Sequence, residues 1–134
     1  MEKQRGIRFE AIMRILIVDD SQPMRRAQRE ILGGLGQVRF VEASDGFEAL
    51  AKLSGGAFDL VLIDRNMPKM DGLTLVNQIR TTDKKTPLIM VSTEAEKTRI
   101  LEAIQAGVNN YVIKPFTSES LLEKVRATLS KMAA

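Results

Sequence analysis

The stretch RILIVDDSQPMRRAQREILGGLG, Arg14 to Gly36, decides the fold. It opens with Arg14-Ile-Leu-Ile-Val18, a short continuous apolar run of the kind that forms a strand buried on both faces. The period then changes: Met24, Ala27, Ile31, Leu32 and Leu35 recur at the spacing of one helix face. Pro23 suits the first helical position, where its missing N–H costs nothing. Gly33-Gly34-Leu35-Gly36 ends the helix. These glycines follow a helix rather than a strand, so they read as a turn and not as a phosphate-cradling loop. A buried strand followed by an amphipathic helix is the unit from which a parallel sheet is built.

The unit repeats to the end of the chain. Val38–Ala43, Leu60–Ile63, Leu88–Val91 and Tyr111–Ile113 read as strands, and Gly46–Leu53, Leu73–Arg80 and Glu94–Ala106 as helices. In the third of these helices Ile100, Ala103 and Ile104 are expected to point inward. A last helix carries Leu121, Leu122, Val125 and Leu129 on one stripe. Five strands in strict alternation with five helices predict an α/β fold, a five-stranded parallel sheet with helices on both faces. The 134 residues suit one domain, with no linker, repeat or low-complexity stretch. Met13 stands just before the first strand. Residues 13–134 are therefore expected to form the domain, and residues 1–12 to be an extension from an upstream or alternative start or a cloning remnant, with a docking tail as the alternative.

Composition narrows the chemistry. Cys and His are both absent, which removes disulfides, thiol nucleophiles, imidazole acid–base catalysis and the usual ligands of transition metals. A metal here must sit on oxygen, as Mg²⁺ does. The net charge of +3 is spread among 17 acidic residues, and one Tyr and five Phe offer little for base stacking, so nucleic acid is not an expected partner. No apolar run approaches the roughly 18 residues that span a bilayer, and the first residues lack the apolar core of a secretory signal. A cytoplasmic location is expected.

In parallel α/β sheets, functional groups gather in the crevice at the C-terminal strand ends. Asp19-Asp20 follow the first strand, Asp64 the third, Ser92-Thr93 the fourth and Lys114-Pro115 the fifth. Each has a plain reading alone. The paired acids could serve a helix N-terminus, Ser92 or Thr93 could cap a helix, Lys114 could be a surface lysine, and Asp71-Gly72 a turn. Their joint placement is specific. Crowded carboxylates repel one another by on the order of 4 kcal/mol per pair at about 4 Å and an effective dielectric near 20, and so call for a cation such as Mg²⁺. With that cation and the Lys114 ammonium nearby, an ionised Asp64 could attack phosphorus, and Ser92 could hydrogen-bond the product phosphoryl group.

Four motifs carry a resemblance. LIVDDS (Leu16–Ser21), LIDRNMPKMDG (Leu62–Gly72), IMVST (Ile89–Thr93) and YVIKPF (Tyr111–Phe116) are similar to those of the bacterial two-component receiver family, and within it to the CheY-like single-domain chemotaxis regulators. The likeness runs from about Arg14 to the C-terminus. It implies a flavodoxin-like (βα)5 three-layer sandwich with strand order 2-1-3-4-5. It further implies that Asp64 is the phospho-acceptor, with Ser92 and Lys114 completing the catalytic set. Asp20 would ligate Mg²⁺ directly, Asp19 through water, and Asp64 and the Asn66 carbonyl would complete the metal site. Lys114–Pro115 looks like the family's cis peptide. Ser92 and Tyr111 would form the switch, the tyrosine swinging inward as Ser92 is drawn to the phosphoryl group. Ala95, Tyr111, Ile113 and Lys124 would form the partner face on the fourth helix, fifth strand and fifth helix.

The same resemblance implies a histidine kinase of the CheA-like kind as phosphodonor, the flagellar motor switch protein as output partner, a phosphatase as a further one, and a monomeric, non-enzymatic signalling protein that catalyses only its own phosphorylation and dephosphorylation. Asn66 and Glu94 match the pair associated there with rapid loss of the phosphoryl group. Arg65 and Thr93 depart from the pattern, standing where the well-characterised chemotaxis regulators carry Trp and Ala. Arg65 is expected as a solvated loop side chain or one reaching the acidic pocket, and Thr93 as a brake on water access. A phosphorelay carrier, or a receiver controlling a non-flagellar partner, is the second reading. A haloacid-type phosphatase would need Asp where Asn66 stands, and no residues are left for a DNA-binding effector domain.

Overall fold

Every apolar run anticipated as a strand forms one, and all five strands are parallel. The computed structural model describes residues 12–133. Strands β1 (Met13–Val18), β2 (Val38–Ala43), β3 (Leu60–Asp64), β4 (Leu88–Ser92) and β5 (Asn110–Ile113) alternate with helices α1 (Gln22–Leu32), α2 (Gly46–Ser54), α3 (Gly72–Arg80), α4 (Lys97–Ala106) and α5 (Ser118–Ala133). The order across the sheet is β2-β1-β3-β4-β5. This is the flavodoxin-like 2-1-3-4-5 arrangement. Apart from Ile12, the proposed N-terminal extension lies outside the described residues.

Alternation along the strands feeds two cores. Leu16, Val18, Val61, Ile63, Leu88 and Met90 face α2, α3 and α4, packing with Ala49, Leu75, Val76, Ile79 and Ala103. Ile15, Ile17, Leu60, Leu62, Ile89 and Val91 face the other way, toward Leu32 of α1 and Leu121 and Val125 of α5. Because both faces are covered, β1, β3 and β4 read as unbroken apolar runs. The hydrogen-bond ladder continues one residue past three of the strands. The N–H of Asp19 donates to Ala43 O (3.1 Å), that of Arg65 to Val91 O (3.0 Å) and that of Lys114 to Ser92 O (2.8 Å).

Side chains set the helix starts. Ser21 Oγ accepts the Met24 N–H at 3.2 Å, Asp45 the Glu48 N–H at 2.8 Å, and Asp71 the Thr74 N–H at 2.8 Å. Asp71 is thus a helix cap and not only a turn residue, while neither Asp19 nor Asp20 caps α1. Pro23 is the second helical residue, and a single 3-10 turn at Gly33–Leu35 follows α1. Two expectations for the fourth helix need correction. It starts at Lys97, because the Glu94 N–H is taken by Ser92 Oγ (2.9 Å) and the Glu94 carbonyl by the Tyr111 hydroxyl (2.9 Å), which holds residues 94–96 out of the helix. Ile104 does not point inward but is 49% exposed.

Gly72 is where the fold meets the site. A Cβ there would lie 2.4 Å from the Asp64 carbonyl oxygen and 2.8 Å from Arg65 Cα, both backbone atoms that cannot step aside. Its N–H donates to Arg65 O at 2.8 Å, fixing the start of α3 against the end of β3. Gly72→Ala is expected to lower unfolding stability by about 3 kcal/mol, the upper range for overpacking a tight contact, as read from a denaturant midpoint.

Candidate functional site

The sheet order brings the ends of β1, β3, β4 and β5 to one edge. Asp64 is the last residue of β3 and Ser92 the last of β4, both buried, while Asp19 and Lys114 sit one residue past β1 and β5. Carboxylate oxygens of Asp19, Asp20 and Asp64 all lie within 4.8 Å of one another. The Lys114 ammonium donates to Asp64 Oδ1 at 2.9 Å and to Asp19 Oδ2 at 3.3 Å. The Lys114–Pro115 peptide is cis.

Asp19 is held on every side. Its Oδ1 accepts the Ser21 N–H at 2.9 Å, and its carbonyl accepts from the Arg25 guanidinium at 2.6 Å. Glu42 in turn fixes Arg25, accepting from its Nε at 2.8 Å, and accepts from Arg29 at 2.6 Å. Those hydrogen bonds hold the Glu42 carboxyl below the usual carboxylate range. Asp20, by contrast, is exposed.

Charge at this edge is unbalanced. Burial pushes the Asp64 carboxyl above the usual carboxylate range; the Lys114 hydrogen bond works against the rise, and the charges of Asp19 and Asp20 add to it. Burial works to lower the Lys114 ammonium, but its hydrogen bond to Asp64 and the Asp19 charge outweigh that effect and raise it. Three carboxylates facing one ammonium leave a deficit of two positive charges when all are ionised. An all-oxygen cluster with that deficit fits a divalent hard cation.

Ser92 is fully buried, and its Oγ accepts the Glu94 N–H at 2.9 Å. Asn66 and Thr93 are exposed beside the carboxylates' strand ends. Tyr111 already occupies the inward position, 5% exposed, with its hydroxyl donating to Glu94 O at 2.9 Å. Ala95, Ile113 and Lys124 are exposed, so three of the four anticipated partner-face residues are available to solvent and Tyr111 is not.

Arg65 fits neither expectation. It is buried, and its guanidinium donates to Arg99 O at 2.7 Å and to Glu102 Oε1 at 2.5 Å, away from the acidic cluster. Sequence reading also missed the Arg25–Glu42 support of Asp19 and the close approach at Gly72. The only available signal was Gly72 itself, a glycine directly after a capping acid.

The chain is similar to known proteins in both sequence and fold. The family model for the response regulator receiver domain matches residues 15–126. The chain is 44% identical to the chemotaxis protein CheY of Pseudomonas aeruginosa over 122 residues, which cover 90% of this chain and 98% of that protein. It is 46% identical to CheY1 of Helicobacter pylori over 120 residues, covering 87% of this chain and 97% of the relative. Among solved structures, the CheY-like receiver domain protein of Methanospirillum hungatei superposes with a TM-score of 0.84 at 30% identity, covering 92% of this chain and 98% of the other. The chemotaxis response regulator CheY4 of Vibrio cholerae does so with a TM-score of 0.82 at 32% identity, covering 88% and 99%. Among the described residues, no helix is long and apolar enough to cross a membrane.

Proposed function

The chain belongs to the response regulator receiver family, and from that premise we propose that it is a single-domain switch that takes a phosphoryl group from a histidine kinase onto Asp64. One observation carries the reading: the Lys114 ammonium lies 2.9 Å from Asp64 Oδ1, inside a cluster of three carboxylates. Lys114 holds Oδ1, which leaves the second carboxylate oxygen of Asp64 to attack. That oxygen forms a bond to phosphorus, the phosphorus–nitrogen bond of the donor phosphohistidine breaks, and the imidazole nitrogen keeps the electron pair. Lys114 compensates the charge that the phosphoryl oxygens bring into the site. Ser92, whose oxygen already accepts the Glu94 N–H, has its own O–H to donate to the phosphoryl group. Water later releases phosphate and restores the carboxylate.

Asp20, Asp64 and the Asn66 carbonyl would hold Mg²⁺ directly. Asp19 would act through water, because both its carboxylate oxygens are already engaged, by Ser21 and by Lys114. Mg²⁺, when bound, neutralises charge on the transferring phosphoryl group. Residues 13–134 form the receiver and 1–12 an extension. The output is chemotactic, as the names of the relatives suggest: the face of α4, β5 and α5, with Ala95, Ile113 and Lys124 exposed, binds the flagellar motor switch protein in the cytoplasm, and a CheA-like kinase supplies the phosphoryl group.

The test is an NMR titration of the full chain with Mg²⁺ and beryllofluoride, then with an N-terminal peptide of the motor switch protein. The expected result is a shift of the amides around Asp64 and Ser92, followed by peptide binding tighter than without beryllofluoride. Shifts without binding would retain the receiver chemistry and remove the motor assignment. No shift around Asp64 would remove both.

A further inference from the structure

Arg65 directly follows the proposed acceptor, yet its side chain bonds to residues of α4 and to Tyr111. A solvated loop arginine has no desolvation penalty, whereas a buried guanidinium must recover one through its partners. Here the partners are many. Its Nη1 donates to Arg99 O at 2.7 Å and reaches the Tyr111 hydroxyl at 3.4 Å, while Nη2 donates to Glu102 Oε1 at 2.5 Å. The backbone at Arg65 is equally fixed, its N–H donating to Val91 O at 3.0 Å and its carbonyl accepting from Gly72 at 2.8 Å.

Glu94 closes the circuit. Its N–H is held by Ser92 Oγ and its carbonyl by the Tyr111 hydroxyl. Its carboxylate oxygen Oε1 is buried without a hydrogen-bond partner, although Arg65 Nε lies at 3.7 Å and Arg99 Nε at 3.5 Å. That oxygen is held by charge at a distance, not by directed bonds, so it can change partner without breaking one. A contiguous set of contacts therefore runs from Ser92 through Glu94, Tyr111 and Arg65 to the first turns of α4.

We propose that Arg65 is a positioning residue that couples the acceptor loop to α4 and pins Tyr111 inward, so that the fourth helix, and not rotation of the tyrosine, carries the response to Asp64. This rests on the phospho-receiver reading. When the Ser92 side chain is drawn toward a phosphoryl group, its oxygen moves away from the Glu94 N–H, and Glu94 shifts against Arg65 and Arg99. The Arg65–Glu102 pair transmits that shift to the helix.

The experiment compares the wild-type chain with Arg65→Met, Arg65→Lys, Glu102→Gln and the Arg65→Met/Glu102→Gln double variant, each with Mg²⁺ and beryllofluoride. Amide shifts of residues 97–103 report α4. The chain has one Tyr and no Trp, so tyrosine emission and its quenching report Tyr111 alone. The expected result is that wild type shifts at Asp64, Ser92 and α4 with emission unchanged. In both single-site losses the shifts at Asp64 and Ser92 persist while those of α4 fall about threefold or more. Arg65→Lys keeps the charge without the planar fork and fails to rescue. The double variant matches either single one, as expected if both residues act through one contact.

Full α4 shifts in Arg65→Met or Glu102→Gln, additive losses in the double variant, or a wild-type tyrosine that becomes quenchable on activation would each overturn the coupling alone. A wild-type chain with no shift at Asp64 would overturn the receiver reading, and the coupling with it. Glu102 is half-exposed, so its variant decides the matter even where Arg65→Met does not fold.

Discussion

Asp64→Asn is expected to abolish phosphoryl uptake and, in the absence of divalent cation, to make the protein more stable. Both effects have one origin. The carboxyl is pushed above its ordinary range chiefly by burial, with Asp19 and Asp20 adding to the rise and Lys114 opposing it. A raised folded-state value means that the contribution of this group is fully present below the unfolded value of 3.8 and is lost as pH rises through the folded one. At neutral pH the ionised Asp64 is therefore a cost to the fold. Asn has nearly the same shape, keeps an acceptor for Lys114 and removes the charge. The expected gain is roughly 1–2 kcal/mol, within the range that an uncompensated buried polar group costs a fold. Urea unfolding at neutral pH without metal, alongside phosphorylation by a small acyl phosphate, checks both halves. Unchanged uptake would remove Asp64 as the acceptor, and a loss of stability would mean that Lys114 contributes more to this carboxylate than burial takes away.

The second large effect is at Lys114. Lys114→Met leaves Asp64 and Asp19 buried without their shared cation, and removing one partner of a buried pair typically destabilises by about 3–5 kcal/mol. The ammonium is raised above its ordinary value of 10.5, so its stabilisation is fully present below that value and is lost only as pH rises through the folded one. The whole effect should therefore be visible at neutral pH. Millimolar Mg²⁺ should restore part of the stability, since a second cation then faces the same carboxylates. Phosphoryl uptake should still fall by about a hundredfold, the usual effect of losing one preorganised charge-stabilising donor. Denaturant curves with and without Mg²⁺, read with uptake kinetics, separate the two roles. Full recovery of uptake on adding Mg²⁺ would confine Lys114 to stability.

Much of this was legible in the chain. The strands declared themselves because burial on both faces requires unbroken apolar runs, and strict alternation with helices forces them parallel. Once that is granted, Asp19, Asp64, Ser92 and Lys114 share one edge, and they meet there because β1, β3, β4 and β5 are neighbours in the sheet, an order that only the family resemblance implied. The start of α4 was not legible. Glu94-Ala95-Glu96 has helical composition, and it is excluded from the helix only because Ser92 and Tyr111 compete for the Glu94 backbone. Arg65 was the larger miss. Its partners Arg99, Glu102 and Tyr111 stand 34, 37 and 46 residues away, and no local pattern records such a pairing. Polar side chains on loops leave no periodicity, so their destinations become visible only once the tertiary structure sets their neighbours.

The ladder bonds that run past the ends of the strands have a consequence for motion. Because the amides of Asp19, Arg65 and Lys114 remain tied to neighbouring strands, the edge that holds the acidic cluster is expected to open only with the sheet itself. Its amide protons should exchange with solvent only when the whole chain unfolds, while those of α4, with exposed Leu101 and Ile104, exchange through local opening. The proposed chemistry would then rest on a rigid edge, and the response would fall to a helix whose loosening need not endanger the fold.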